Sequence, residues 1–331
     1  MIEEKLIPID NPIGWKAALK GINHAFAHTW ESCYSMHLTT GFPTFLYSIN
    51  IDNTRIICPI SERTYKQYTD IITPYGFSGF AGTGPSPEFM QYWQKFIEKK
   101  SYVSGYFTLN PIIMQNYYFN QNDIYKYNDL FIFDLSQSDE QLYLNLSSNR
   151  KRQLKQFEHM KQKIHLDKSS LINFFISNYR EFFKSRNASS LYQFAEETLS
   201  FLFNQNNIIM IGILEENKIA AVSVFGLTKY MADFLFNISL PQGKKYSVTL
   251  IWYALNKIKS MGIPYLNLGG GITKNDSLAD FKRRFGTGIY PLNAIKHVYD
   301  EDTYIKLCLS INADPDDRFG YFPAYQRPDL S

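Results

Sequence analysis

The sequence predicts an α+β, or mixed α/β, fold, and three observations carry that prediction. Helical patterns cluster where the second half of the chain opens. Three strand candidates then follow one another over 208–239, and one strand–loop–helix–strand crossover spans 230–270. The regular strand–helix alternation of a doubly wound parallel sheet is missing.

In chain order, Asn11-Pro12 ahead of GWKAALKGI supplies a cap and a first-turn proline for a short helix. AFAHTWESCYSMHL (25–38) has helical character, and PTFLYSINI and TRIICPI flank Asp52-Asn53 as a β-hairpin. TPYGFSGFAGTGPSP (73–87) is a loop rich in glycine and proline. An amphipathic helix (86–100) and strands at 101–109 and 129–135 follow it. The last strand closes a first half, so domains are expected at 1–136 and 137–331.

EQLYLNLSSNRKRQLKQFEHMKQKI reads as one helix, with Leu142, Leu146, Leu154, Phe157 and Ile164 at spacings compatible with a single face. It carries Arg150, Lys151, Arg152, Lys155, Lys161 and Lys163. Helical segments near 170–184 and 192–205 precede strands at 208–215, 218–227 and 230–239, the first two joined at Glu216-Asn217. PQGKKYSVTL leads into a helix that Gly262 ends; a strand at 264–270 and a helix at 276–285 follow.

With 331 residues the chain has room for about two domains. Its 45% apolar and 20% charged residues are those of an ordinary soluble globular protein. No apolar run is long enough for a transmembrane segment, and MIEEKLIPID is neither a signal nor a transit peptide. Cys33, Cys58 and Cys308 form no CxxC pair and read as buried thiols, which favours a cytoplasmic location. A net charge of +3 gives no ground for DNA binding.

Among the motifs, NLGGGITKNDSLADFKRRFG (267–286) invites a phosphate-loop reading and fails it. No lysine-hydroxyl pair follows the glycines, and the spacing is not GxGxxG. What remains is a strand end, at Gly269 and Gly270, that something approaches closely, or else a bulge or tight turn. Ser277-Leu-Ala-Asp280 fits a capping box, with Leu278, Phe281 and Phe285 on one face and Lys282 at its rim. Phosphate binding is better placed upstream at Gly243, Lys244, Lys245, Tyr246 and Ser247, where a loop meets a helix N-terminus. His24, His28 and Glu31 lack a third ligand and the HExxH spacing, so no metal site is expected. His28 and Trp30 line a pocket or pack a helix. Asp233 and His297 are the candidate proton acceptors; Asp233 is placed on one strand face with Asn237.

FAHTWESCYSM, TPYGFSGF, SSNRKRQLKQ and YLNLGGG…LADFKRRFG together resemble the Fem-type (FemABX-like) branch of the GNAT acyltransferases. The closest flavour is that found among surface-polysaccharide genes. The resemblance implies two tandem GNAT-like halves and acyl transfer to an amine, on a nucleotide- or lipid-linked amino sugar. It implies a donor cleft between strands 230–239 and 264–270, with acyl-CoA as co-substrate and no tightly bound cofactor. His28, Trp30, Tyr75, Arg152, Gly269, Gly270 and Lys282 would contact substrate. An aminoacyl-tRNA donor, making tRNA a partner in peptidoglycan-like synthesis, is the first alternative. A non-catalytic GNAT-like binding module is the second.

Overall fold

The computed structural model describes residues 2–113, 118–185 and 193–327. The first half of the chain forms β1 (Ile2–Pro8), α1 (Pro12–Leu19), α2 (Trp30–Thr40), β2 (Thr44–Ile51), β3 (Thr54–Tyr65), β4 (Tyr68–Ile72), β5 (Ala81–Gly82), α3 (Phe89–Lys100), β6 (Ser104–Thr108) and β7 (Ile124–Asp134). Then come α4 (Asp139–Asn145), α5 (Ser148–Leu154), α6 (Phe157–Lys161), β8 (Ile164–His165), α7 (Lys168–Lys184), α8 (Glu196–Phe203), β9 (Ile208–Glu215), β10 (Lys218–Leu227) and β11 (Ala232–Ser239). The chain ends with α9 (Ser247–Ser260), β12 (Tyr265–Asn267), α10 (Ser277–Arg283), β13 (Gly288–Val298) and α11 (Glu301–Leu309). The fold is mixed α/β, as predicted. Of the helical segment expected at 192–205, Tyr192 lies outside the described residues. No helix of the described residues is long and apolar enough to cross a membrane.

The chain forms two compact units. One takes the residues up to Asn128 together with those from Pro291 on; the other is Asp129–Tyr290. The expected cut at 136/137 is therefore corrected to a discontinuous first unit. The cause is β13, which pairs antiparallel with β6 from Ala294↔Thr108 to Val298↔Ser104 and carries the last residues back. Behind it, Val103, Tyr304, Leu307, Phe322 and Tyr325 share one buried cluster. Buried Asp70 fastens this segment: it pairs with Arg63 at 2.8 Å and accepts hydrogen bonds from Tyr325 and Gln326.

Both units follow one plan: three antiparallel strands, a helix, then a strand parallel to the third. In the first unit these are β2–β3–β4, α3 and β6. In the second they are β9–β10–β11, α9 and β12. A second crossover, through α3, thus joins the one read from the sequence. Glu216 and Asn217 both take positive φ (51° and 60°), the two-residue hairpin turn their identities suggest. The aromatic excess fills cores: Tyr47, Phe80, Phe89, Trp93 and Phe107 pack edge-to-face in the first unit.

The basic stretch 139–163 is three helices rather than one. Leu146 is extended (φ −62°, ψ 142°), and the Ser147 hydroxyl accepts the Arg150 N–H to start α5 afresh. Two serines in a row favour such a cap over a continuous helix.

Candidate functional site

Strands β11 and β12 touch only at Ala232↔Leu266 and Asp233↔Asn267. From there β11 runs on to Ser239 while the chain after Asn267 turns away. Gly269 makes that turn at φ +75°, its N–H donating to Asn267 Oδ1 at 2.8 Å. Only glycine enters this region without strain. The β11 backbone past Asp233 is thereby left without a parallel neighbour, and α9 begins just beyond its end.

A bulge shapes the same strand. Val224 pairs with Phe236 and Phe225 with Phe234, so Leu235 is an extra residue and the side-chain alternation reverses there. Ser223 Oγ reaches Asn237 Oδ1 at 3.0 Å, and Phe225 stacks on Phe234 at 5.0 Å; both contacts lie on one face. Asp233 lies on the other. The shared face expected for Asp233 and Asn237 is corrected accordingly.

On its own face Asp233 meets the end of β12. Buried Asn267 donates from Nδ2 to Asp233 Oδ1 at 3.0 Å while its Oδ1 holds the Gly269 N–H. Lys282 then closes the cluster, donating from Nζ to the Gly270 carbonyl at 2.7 Å. A Cβ on Gly269 would stand 3.3 Å from that ammonium, so the absent side chain gives it room. Lys282 is 7% exposed, not at a rim. The buried face of α10 is Ala279 and Lys282, continued by Phe285 just past its end, while Leu278 is 38% exposed. Burial lowers the Lys282 pKa to about 8, opposed by the charge of Asp276. The group still carries its charge at neutral pH.

The frame of α10 differs from the expected capping box because Asp276, not Ser277, is the cap. Its carboxylate accepts from the N–H groups of Ala279, Ile272 and Thr273 at 2.7, 2.7 and 2.9 Å. Desolvation pulls its pKa up, but these backbone donors together hold it below the usual carboxylate range. The amides at this helix start are therefore taken by the chain's own anion.

The upstream loop is also more engaged than expected. Residues Pro241–Tyr246 form a 3-10 turn leading into α9. A Cβ on Gly243 would lie 2.1 Å from the Ala220 carbonyl, so this glycine serves packing against β10 and not ligand approach. Lys245 pairs with Glu215 at 2.7 Å, Lys163 joins at 3.1 Å, and the Tyr246 hydroxyl donates to the same carboxylate. The Lys245 hydrogen bond leads in lowering the Glu215 pKa to about 2. Ser247 Oγ donates to the Lys244 carbonyl at 3.0 Å, and the Lys244 side chain is exposed.

Asp233, Gly269, Gly270 and Lys282 thus come together. The remaining candidates have other surroundings. His297 belongs to the first unit, where its Nε2 lies 2.6 Å from Asp123 Oδ2. His28 is fully buried in that unit; its Nδ1 accepts the Ala25 N–H at 3.2 Å, and burial lowers its pKa to about 3. It is a neutral core histidine and offers no surface to a ligand. Trp30 stacks on Tyr34 at 4.8 Å and donates to the Ile9 carbonyl at 2.7 Å, whereas Tyr75 is exposed. Arg152 is exposed on α5 and bonded to Asn149 at 2.8 Å.

Two residues escaped the sequence reading. Asn267 had a signal, being the polar residue of an otherwise apolar short strand. Arg150 had a stronger one: it stands four residues before buried Leu154, on the same face of α5.

No protein-family model and no curated protein matches the sequence. Solved structures do. FemX aligns with a TM-score of 0.69 at 9% identity, over 92% of this chain and 99% of that one. A conserved protein of unknown function from Bacteroides thetaiotaomicron aligns at 0.59 and 12% identity, over 89% and 99%. The C-terminal domain of a putative lysylphosphatidylglycerol synthetase from Agrobacterium fabrum aligns at 0.55 and 11% identity, over 87% and 91%. The chain has a Fem-type, GNAT-like fold, as its motifs implied.

Proposed function

We propose that the protein is an acyltransferase that moves an acyl or aminoacyl group onto an amine, with the parting of β11 from β12 as its donor cleft. The single observation that carries this reading is the two-residue parallel contact, Ala232↔Leu266 and Asp233↔Asn267, that ends beside the buried Lys282 ammonium. A donor lying along the unpaired β11 edge would bring its carbonyl to that cation. The acceptor amine attacks the carbonyl carbon and the C=O electron pair moves to oxygen. Lys282 is the charged donor for this oxyanion, the arrangement that gives such sites most of their rate gain. Asp233, held by Asn267, accepts the proton lost by the amine. The tetrahedral intermediate then collapses, the bond to the thiolate or ribose oxygen breaks, and the leaving group takes up a proton. Positioning of donor and acceptor contributes the rest.

For the acceptor we propose an amino sugar carried on a nucleotide or lipid in cell-surface polysaccharide synthesis, with acyl-CoA as donor. One observation favours a second reading. Glu215 ties up Lys245 and Tyr246, and β10 covers Gly243, so the turn before α9 is poorly suited to a pyrophosphate. An aminoacyl-tRNA, whose reacting ester carries no pyrophosphate, is not penalised by this arrangement.

The test is a matrix of radiolabelled acyl-CoA and aminoacyl-tRNA donors against amino-sugar nucleotides and lipid-linked amino sugars. Product is expected from one donor class, and Lys282→Met should cut kcat by roughly 10²–10³ while leaving KM for the donor nearly unchanged. Binding without turnover for every pair would leave a non-catalytic binding module instead.

A further inference from the structure

We infer that Arg150 is a positioning residue for Lys282: from α5 it clamps α10 and thereby fixes where the buried ammonium stands. The inference rests on the reading of Lys282 as the working cation of the site.

The guanidinium carbon of Arg150 lies 4.3 Å from the Phe281 ring centroid and 4.8 Å from that of Phe285. Its Nη2 donates to the Phe281 carbonyl at 2.9 Å, and its Nη1 to Gln153 at 2.7 Å. Phe281 is the residue before Lys282, so one side chain grips the backbone and both rings that flank the lysine. Two further contacts hold the same end of α10 against the α4–α5 junction. The Ser147 N–H donates to the Arg284 carbonyl at 3.0 Å, and Gly286 presses on the Asn145 carbonyl so closely that a Cβ would stand 2.2 Å from it.

Stability alone does not explain this arginine. It is 4% exposed, its Nε has no hydrogen-bond partner, and burial lowers its pKa despite the charge of Asp280. The nearby Asp280 is paired with Arg284 at 2.7 Å. A buried cation so placed is costly, and an apolar side chain of similar size usually serves stability as well or better. What an apolar chain cannot supply is a planar fork that stacks on two rings and bonds a carbonyl at once. Of the charged groups packed about α10, Asp276 ahead of it acts on Lys282 directly, Asp280 and Arg284 pair with each other, and Asp233 joins the cluster through Asn267.

The test reads the Lys282 ammonium directly, by ¹⁵Nζ NMR of lysine-labelled protein over a pH series, with the resonance assigned by its loss in Lys282→Arg. In R150M the titration midpoint should rise by about one unit or more toward that of a solvated lysine, with thermal stability unchanged or higher. R150K, which keeps the charge without the fork, should fall between. A Lys282 midpoint in R150M equal to that of the wild type overturns the inference. If R150M does not fold, Phe281→Leu removes the main stacking surface and carries the same two outcomes. Because the readout is not activity, a shifted midpoint in an inactive protein would count against the acyltransferase reading and not against the clamp.

Discussion

Lys282 donates its ammonium proton to the carbonyl of Gly270 at 2.7 Å from a position nearly sealed from solvent. Its pKa near 8 lies below that of a lysine in the unfolded chain. Below pH 8 the residue is charged in both states and the cost of burying that charge is fully present. Between pH 8 and about 10.4 the unfolded chain binds more protons, so stability rises with pH in that window. Lys282→Met should therefore stabilise the protein at pH 7 by up to about 3 kcal/mol, and the gain should vanish near pH 10.5. Urea unfolding at the two pH values checks this; an equal gain at both would show that burial does not penalise the charge.

Gly243→Ala should destabilise the fold by about 1–3 kcal/mol, because the new methyl meets the Ala220 carbonyl of β10. A glycine kept open for a ligand would instead tolerate alanine, with a loss of binding only. Thermal melts of the unliganded protein separate the two.

Gly269→Ala places a left-handed alanine at φ +75° and a methyl 3.3 Å from Lys282 Nζ. The backbone cost is about 1 kcal/mol. The sharper expectation is a displaced ammonium, seen as an altered rate of Lys282 modification by an amine-reactive reagent. Gly262→Ala has a comparable φ and open space around it, and should leave that rate alone.

Glu215→Gln removes the carboxylate that holds Lys163, Lys245 and Tyr246. Freed lysines at the start of α9 should tighten binding of a pyrophosphate-bearing donor such as CoA by about tenfold, roughly 1.4 kcal/mol, with a steeper salt dependence. Calorimetry with CoA at two ionic strengths tests it, and an unchanged affinity would show that Glu215 does not govern this turn.

Asp70→Ala strands the Arg63 guanidinium in the core and releases Tyr325 and Gln326. A loss of about 3–5 kcal/mol is expected, and limited proteolysis should then cut preferentially near the C-terminus. Stability within 1 kcal/mol of the wild type would mean that the pair holds nothing in place.

Much of the fold was legible because its signals are local. Asp52-Asn53 and Glu216-Asn217 announce hairpins, and the strand–loop–helix–strand order at 230–270 announces the parallel pairing of β11 with β12 without any knowledge of contacts. Side-chain direction was harder to read. Asp233 moved to the other strand face because one extra residue, Leu235, reverses an alternation that sequence assumes to be unbroken. Lys282 turned inward because α10 packs through Ala279 and Lys282 and leaves Leu278 at the surface, a choice of face that tertiary contacts make and spacing does not. Lys245 looked like a free phosphate ligand because its partner, Glu215, lies thirty residues away in sequence. The return of β13 to β6 has no local sign at all, since edge pairing depends on which strand is left open.

That return carries a consequence for synthesis. The first unit begins at the N-terminus, yet it lacks β13, α11 and the segment clasping Asp70 until residues beyond 290 leave the ribosome. All of Asp129–Tyr290 emerges before then and can close its own sheet while the earlier-born residues wait. At translation rates of about 5–20 residues per second that wait lasts on the order of ten to thirty seconds. During it the open edge of β6 is exposed to whatever else the nascent chain meets, and Asp70 has Arg63 but not yet Tyr325 and Gln326 as partners.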